Sequence, residues 1–369
     1  MPETRGLGAV AGAIEPWFVE NARDLPWRPD PVYDTRDPYR ALVSELMLQQ
    51  TQVSRVIEKY ASFLARFPTV QALAQAPEAD VLAEWSGLGY YRRARLLHSA
   101  AKTIVEEHAG VFPESPGAIR SLPGVGRYTA GAIASIVFGQ REPILDGNVE
   151  RVLLRLHAKP DPPRDKQTQA WAWERAQELV DLSERPGVLN EGLMELGATV
   201  CTPSAPRCPS CPVRGACAAY AQGRTDEIPT PKPRAKQKDW FVVCFVVTDG
   251  RGRVLIETRP TPGLWAGMVQ SPGMEGDRAI DASEAASGLG VAPGDRLGGF
   301  RHITTHRRVS FEIHAGTFAG DPGAREWVTP DALGDRALSN AHRRVFELAG
   351  VLEGADNPAP GPDAATLFS

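Results

Sequence analysis

The chain has 369 residues, 42% of them hydrophobic, with a formal net charge of −4. That length supports two cores, and no apolar stretch is long enough for a membrane-spanning helix. Gly and Pro, at 35 and 32 residues, stay below the level of a largely disordered chain. The acidic balance excludes nucleic-acid binding through overall basic charge, so such binding would rest on local patches.

In chain order, the opening MPETRGLGAVAGAIEPWFVE lacks the basic start and continuous apolar core of a signal peptide, so a cytoplasmic protein is expected. From about residue 10 to 220 the pattern is helical. Apolar periodicity runs from Ser44 to Phe67, and further helices are predicted around 77–86, 92–108, 127–139, 148–157, 167–182 and 187–200. Candidate basic patches are Arg55 with Lys59, and Arg92, Arg93 and Arg95.

Within the first long helix Glu45 projects between Ala41 and Leu42 on one turn and Leu48 and Gln49 on the next. A carboxyl on a largely apolar face is costly unless protonated or partnered, so its pKa should rise, which suits a general acid. The segment Leu122-Pro-Gly-Val-Gly126 joins a short helix to a longer one. A turn holding Gly124, Val125 and Gly126 presents backbone N–H groups at a helix start, which suits a phosphate. Asp146, in Ile144-Leu-Asp-Gly-Asn-Val149, precedes the next helix and is placed to cap it. The same geometry should keep it ionised and able to stabilise positive charge on a sugar.

Cys201, Cys208, Cys211 and Cys217 follow in the spacing C-x6-C-x2-C-x5-C. Four thiolates so close suit tetrahedral zinc or an iron–sulfur cube. Only Cys208-Pro-Ser-Cys211 has the C-x2-C knuckle form of a zinc ribbon, and the wider outer spacing favours [4Fe–4S]. Disulfides would need an oxidising compartment.

The stretch Ile228-Pro-Thr-Pro-Lys-Pro-Arg-Ala-Lys-Gln-Lys238 reads as an extended basic linker, since alternate prolines block helix and ladder alike. Arg224, Lys232, Arg234, Lys236 and Lys238 supply its charge. Strands are predicted beyond it at Trp240–Thr248, Arg253–Thr258, Gly299–His302 and Val309–Thr317, with helices near 280–287 and 339–352. Cys244 falls in the first strand, where a small buried residue is expected. The second domain is α+β, and the end from Asp356 is rich in Pro, Ala and Asp and should fray.

Taken together, Leu25-Pro-Trp-Arg28, Ser44-Glu-Leu-Met-Leu-Gln-Gln-Thr-Gln52, Gly87-Leu-Gly-Tyr-Tyr91, Leu122-Pro-Gly-Val-Gly126, Leu145-Asp-Gly-Asn-Val149 and the cysteine cluster resemble the iron–sulfur, helix-hairpin-helix DNA glycosylases, and within them the adenine DNA glycosylases of the MutY kind. The resemblance implies a multidomain protein. An all-α helix-hairpin-helix glycosylase domain with a [4Fe–4S] module would span 1–224, with the hairpin at about 114–139 and the cluster loop at 201–217. A linker at 225–238, an α+β Nudix-like domain at 239–354 and a tail at 355–369 would complete it.

By the same resemblance, Glu45 protonates a flipped adenine at N7 and Asp146 stabilises the oxocarbenium-like sugar, with Tyr128 and Asn148 as supporting polar residues. Trp27, Arg28 and Glu191 match adenine-pocket positions. Gln50, Leu88 and Tyr90 match positions that wedge into the duplex, and Gly124, Val125 and Gly126 hold its backbone. The implied substrate is double-stranded DNA bearing adenine opposite 8-oxoguanine or guanine, bound by a monomer that associates with the nucleoid when acting.

Tyr128 stands where bifunctional relatives carry a lysine, and a phenol cannot form their Schiff base, which implies a monofunctional enzyme. The stretch 276–291, matching the magnesium-binding helix of Nudix hydrolases, has Glu284 as its single glutamate, so nucleotide hydrolysis is not expected. Phe300-Arg-His-Ile-Thr-Thr-His306 lines up with the lesion-reading loop, Thr304 replacing an aromatic residue and Thr305 a serine before His306. Alternatives are a pyrimidine-lesion glycosylase/lyase of the same superfamily, and a non-catalytic iron–sulfur protein that binds DNA or senses redox state. Tyr128 disfavours the first, and the second has no need of Glu45 and Asp146.

Overall fold

The structure, a computed structural model, describes residues 2–28, 36–231, 237–261, 263–304 and 306–353. It divides into two compact units. One holds the described residues up to 75 and from 92 to 231; the other holds 76–91 and 237–353. Residues 76–91 join the second unit through contacts such as the Tyr91 hydroxyl, which donates to the Leu338 carbonyl at 2.9 Å. The tail, 355–369, and Thr305 lie outside the described residues.

The helices, in chain order, are α1 (Pro2–Asn21), α2 (Pro38–Leu48), α3 (Val53–Arg66), α4 (Val70–Gln75), α5 (Glu78–Glu84), α6 (Arg92–Glu107), α7 (Pro116–Ser121), α8 (Arg127–Ile136), α9 (Gly147–Leu156), α10 (Lys166–Asp181), α11 (Pro186–Thr199) and α12 (Ala218–Ala221). All but α5 belong to the first unit. Its core is built from Leu7 and Ile14 of α1, Val149 and Leu153 of α9, and Leu189, Leu193 and Leu196 of α11, with Cys201, Cys211 and Cys217 packed against it.

The apolar periodicity from Ser44 to Phe67 is not one helix. Asp37 caps α2 by accepting from Arg40 N at 2.9 Å, and the helix stops before Gln50, whose φ is 53°. Arg93 fills the break: its guanidinium donates to Leu46 O (2.7 Å), Met47 O (2.8 Å) and Thr51 Oγ1 (2.9 Å). Those carbonyls are among the unpaired acceptors at a helix end. Arg93 is therefore a buried clamp rather than part of a surface basic patch.

In the second unit β1 (Lys238–Val247), β2 (Val254–Thr258), β3 (Val269–Gln270), β4 (Gly273–Gly276), β5 (Ala292–Ile303), β6 (Arg307–Thr317) and β7 (Glu326–Val328) form two sheets, ordered β4-β1-β6-β5 and β3-β2-β7. Strands β1 and β6 are parallel and the other pairs antiparallel. Helices α13 (Ala282–Leu289), α14 (Pro330–Gly334) and α15 (Asn340–Leu348) complete the unit, and apolar residues of α15 pack with Val242, Val309 and Phe311 in one core. Cys244 is buried in β1. Part of the expected linker is anchored instead: Ile228 is buried, and its carbonyl accepts from Arg155 Nε at 2.8 Å. Residues 232–236 lie outside the described residues.

Candidate active site

Helix packing in the first unit brings Asp146 at the start of α9 and Glu191 of α11 within electrostatic reach of Glu45 of α2 and Tyr128 of α8, which are bonded to each other. Glu45 is partly buried, and burial is the largest influence on its carboxyl, pushed up from 4.5 to about 7. A hydrogen bond with Tyr128 and the charge of Arg36 pull it down, while Glu191 and Asp146 push it up. The Tyr128 phenol is held well above its ordinary value, first by burial and then by the Glu45 and Asp146 charges, so it stays protonated. Its hydroxyl also lies 3.1 Å from Met194 Sδ.

Asp146 caps α9 as its place in the sequence implies, accepting from Val149 N at 2.7 Å. Its other oxygen accepts from Asn148 Nδ2 at 3.0 Å. The helix start does not by itself set the titration of Asp146. Burial outweighs these bonds and the Arg151 charge, and the Asp146 pKa is raised. Asn148 is itself held, its Oδ1 accepting from Arg151 Nη2 at 2.9 Å. Arg151 also donates to Cys201 O (2.7 Å) and Gly197 O (2.9 Å). At Gly197 an added Cβ would stand 2.5 Å from Asn148 Cβ, so the approach of α11 to α9 depends on that glycine.

A second group adjoins Glu191. Arg28 Nε donates to Glu191 Oε1 (3.3 Å) and its Nη2 to Glu195 Oε2 (3.3 Å), while its Nη1 donates to Arg23 O (2.7 Å). Arg36 Nη2 lies 2.5 Å from Glu191 Oε2, and Arg23 Nε 2.6 Å from Glu195 Oε1. Arg28 is thus fully engaged by protein groups, and Trp27 packs edge-on against Tyr60 at 5.6 Å. Arg23, Arg36, Arg151 and Glu195 were not singled out from the sequence. Glu195 had a usable signal: like Glu45, it is a carboxyl on a largely apolar helix, one turn from Glu191.

Of the wedge positions, Gln50 is exposed and Tyr90 is 49% exposed, both with positive φ (53° and 47°). Such non-glycine conformations cluster at functional sites. Leu88, the third of these positions, is 4% exposed. Gly124 has φ 79°, and a Cβ there would meet Leu96 Cβ at 2.7 Å. Gly126 starts α8 without a side-chain cap, which leaves the first N–H groups of that helix uncovered by any capping residue.

In the second unit His306 is exposed at the β5–β6 turn, and Glu284 is exposed on α13. Thr304 does not project from the turn: its Oγ1 lies 3.0 Å from Arg307 N and 3.1 Å from Arg307 O.

Cys201, Cys208, Cys211 and Cys217 line one cavity together with Arg155, Val200 and Tyr220. Among the described residues no three His, Cys, Asp or Glu groups converge closely enough to hold a single ion. Arg155 Nη1 lies 3.3 Å from Cys201 Sγ and donates to Thr202 O at 2.7 Å, and its Nη2 to Pro203 O at 3.0 Å. Burial pushes Cys211 up to about 11 and raises Cys217, and neighbouring cysteines add to both.

Residues 43–178 match the HhH-GPD superfamily of base excision DNA repair proteins, and residues 243–348 match the NUDIX domain. The chain also resembles a solved thermostable thymine-DNA glycosylase at 26% identity and TM-score 0.53, over 60% of this chain and 100% of that one. Fold and site together define a base excision DNA repair glycosylase joined to a NUDIX-like domain. An adenine DNA glycosylase of Rattus norvegicus is 34% identical over 93% of this chain and 79% of its own length. That of Homo sapiens is 33% identical over 92% and 74%. The chain belongs to the adenine DNA glycosylases, enzymes of the MutY type that release adenine from DNA.

Proposed function

We propose that this enzyme removes adenine paired with 8-oxoguanine or guanine from duplex DNA, as a monomer, and leaves an abasic site without cutting the strand. Glu45 is the general acid, delivering its proton to the extruded base, whose departure makes the sugar an oxocarbenium-like cation. The observation that carries this reading is the partly buried Glu45 carboxyl bonded to Tyr128 and facing Asp146, a setting that raises its pKa to about 7. A carboxyl poised there is half protonated at neutral pH and so can give up a proton.

Asp146 is the anion beside that cation, aimed by Val149 N and Asn148 Nδ2. Tyr128 keeps its proton and orients Glu45. It offers no amine, which supports a monofunctional reaction. Trp27, Arg28 and Glu191 bound the adenine pocket. Gln50 and Tyr90 enter the duplex, and the Gly124–Gly126 turn takes its phosphates. Thr305 and His306 read the opposite base.

The four cysteines line one cavity, and that donor set fits a [4Fe–4S] cluster. As free thiols, Cys211 and Cys217 would remain protonated at neutral pH, and a cluster takes such sulfurs as thiolates. When bound it supplies a covalent clip for the 201–217 loop, and the acid–base chemistry of Glu45 and Asp146 transfers no electrons. Glu45→Gln and Asp146→Asn test the reading: each should bind the mispaired duplex with near wild-type affinity and release no adenine. Release at the wild-type rate by either variant would end it.

A further inference from the structure

The two carboxylates on α11 lie in a buried layer of charge in which the proposed chemistry gives Glu195, Arg23 and Arg36 no role. Glu191 and Glu195 are 4% and 2% exposed, and three guanidiniums meet them. Arg23 and Arg28 engage Glu195, while Arg28 and Arg36 engage Glu191, one on each carboxylate oxygen. Isolated charges so placed would neutralise, and paired ones persist. Arg28 is fixed independently by Glu195 and by Arg23 O. Arg36, by contrast, enters from the segment before α2, with its side chain 9% exposed and only 2.5 Å from Glu191.

Glu191 also faces Glu45. The charged and titratable groups that act on Glu45 come from each element packed there: Arg36 ahead of α2, Tyr128 of α8, Asp146 at the start of α9 and Glu191 of α11. Arg36 is the positive member of that set, and it pairs with one of the two negative ones.

We propose that Arg36 is a positioning residue that acts on the reaction through Glu191: the ion pair fixes the second carboxylate of the site and screens it from Glu45. Arg36 need not touch substrate. The inference rests on Glu45 being the acid, and it adds the reason the acid works beside two other carboxylates.

The sign follows from charge alone. Without Arg36, both its own field and its screening of Glu191 vanish, the proton on Glu45 is held more tightly, and activity persists to higher pH. Without the Glu191 charge, Arg36 acts unopposed and the proton leaves at lower pH. Single-turnover release of adenine, measured from about pH 5 to about pH 9, reads this as the position of the alkaline limb, whatever the absolute rate. Arg36→Gln should move the limb up, and Glu191→Gln should move it down, each by about one pH unit. The double variant should fall between them, and Arg36→Lys should stay near wild type.

A merely structural Arg36 would lower the rate and leave the limb in place. Limbs that do not move, or that move in the same direction in both single variants, overturn the inference. Should Arg36→Gln fail to fold, the double variant compared with Glu191→Gln decides: loss of Arg36 should move the limb up, and an unchanged limb overturns the inference. Failure of the underlying reading looks different, because Glu45→Gln would then still release adenine.

Discussion

A carboxyl held at about pH 7 inside a folded protein carries a stability cost, and Glu45→Gln should recover it. Below pH 4.5 Glu45 is protonated in both the folded and unfolded chains, and its titration costs nothing. Between 4.5 and about 7 the unfolded chain loses its proton first, so folded stability falls as pH rises. Above about 7 both forms are ionised and the full cost is in place. At about 1.4 kcal/mol per pH unit, that gap amounts to about 3 kcal/mol. Glu45 is partly exposed, and screening reduces the expected effect to about 1–2 kcal/mol.

Glutamine has nearly the same shape, can still accept from the Tyr128 hydroxyl and does not titrate. Urea unfolding followed by tryptophan fluorescence should therefore give similar midpoints for the two proteins near pH 4 and a more stable variant near pH 8. A stability gap that does not change with pH, or a variant less stable near pH 8, would refute the claim that burial raises this carboxyl. Gain of stability with loss of activity is the pattern expected of a strained catalytic group.

Gly197→Ala puts a methyl 2.5 Å from Asn148 Cβ. It should misplace the Asn148 bond to Asp146, cutting single-turnover release about tenfold or more while duplex binding holds. Gly117→Ala, where nothing lies within 4 Å, is the matched control and should match wild type in the same assay. Arg155→Leu removes donors to Cys201 Sγ, Thr202 O, Pro203 O and Ile228 O. It should cost about 3 kcal/mol in urea unfolding and leave the purified protein with less iron and sulfide per chain. Full iron retention would show that the guanidinium does not support the cysteine loop.

The sequence is most informative where local rules decide. The cap at Asp146, the turn through Gly124 and Gly126, and the helices α6, α9, α10 and α11 follow from periodicity and capping residues a few positions apart. Glu45 was legible for the same reason, as a carboxyl among apolar neighbours on one helix. What stayed hidden depends on reach. Arg93, Arg151 and Arg155 look like surface charge in a helical pattern, yet each guanidinium lies across several carbonyls of another segment. Periodicity locates a Cα and not the end of a long side chain. The break at Gln50 was invisible because the apolar spacing continues through it, and what fills the break comes from Arg93, 43 residues away. Strands β3, β4 and β7 are two to four residues long, too short to show alternation, and exist because β1 and β2 offer them an edge.

The central claim is excision of mispaired adenine by an acid and a carboxylate without a covalent amine step. Its most direct test is single-turnover cleavage of duplexes with adenine opposite 8-oxoguanine, guanine, cytosine or thymine, each read with and without alkali. The account predicts rapid release opposite 8-oxoguanine and guanine, little opposite cytosine or thymine, and strand breaks only after alkali. Breaks of equal extent without alkali, or equal release opposite all four bases, would contradict it.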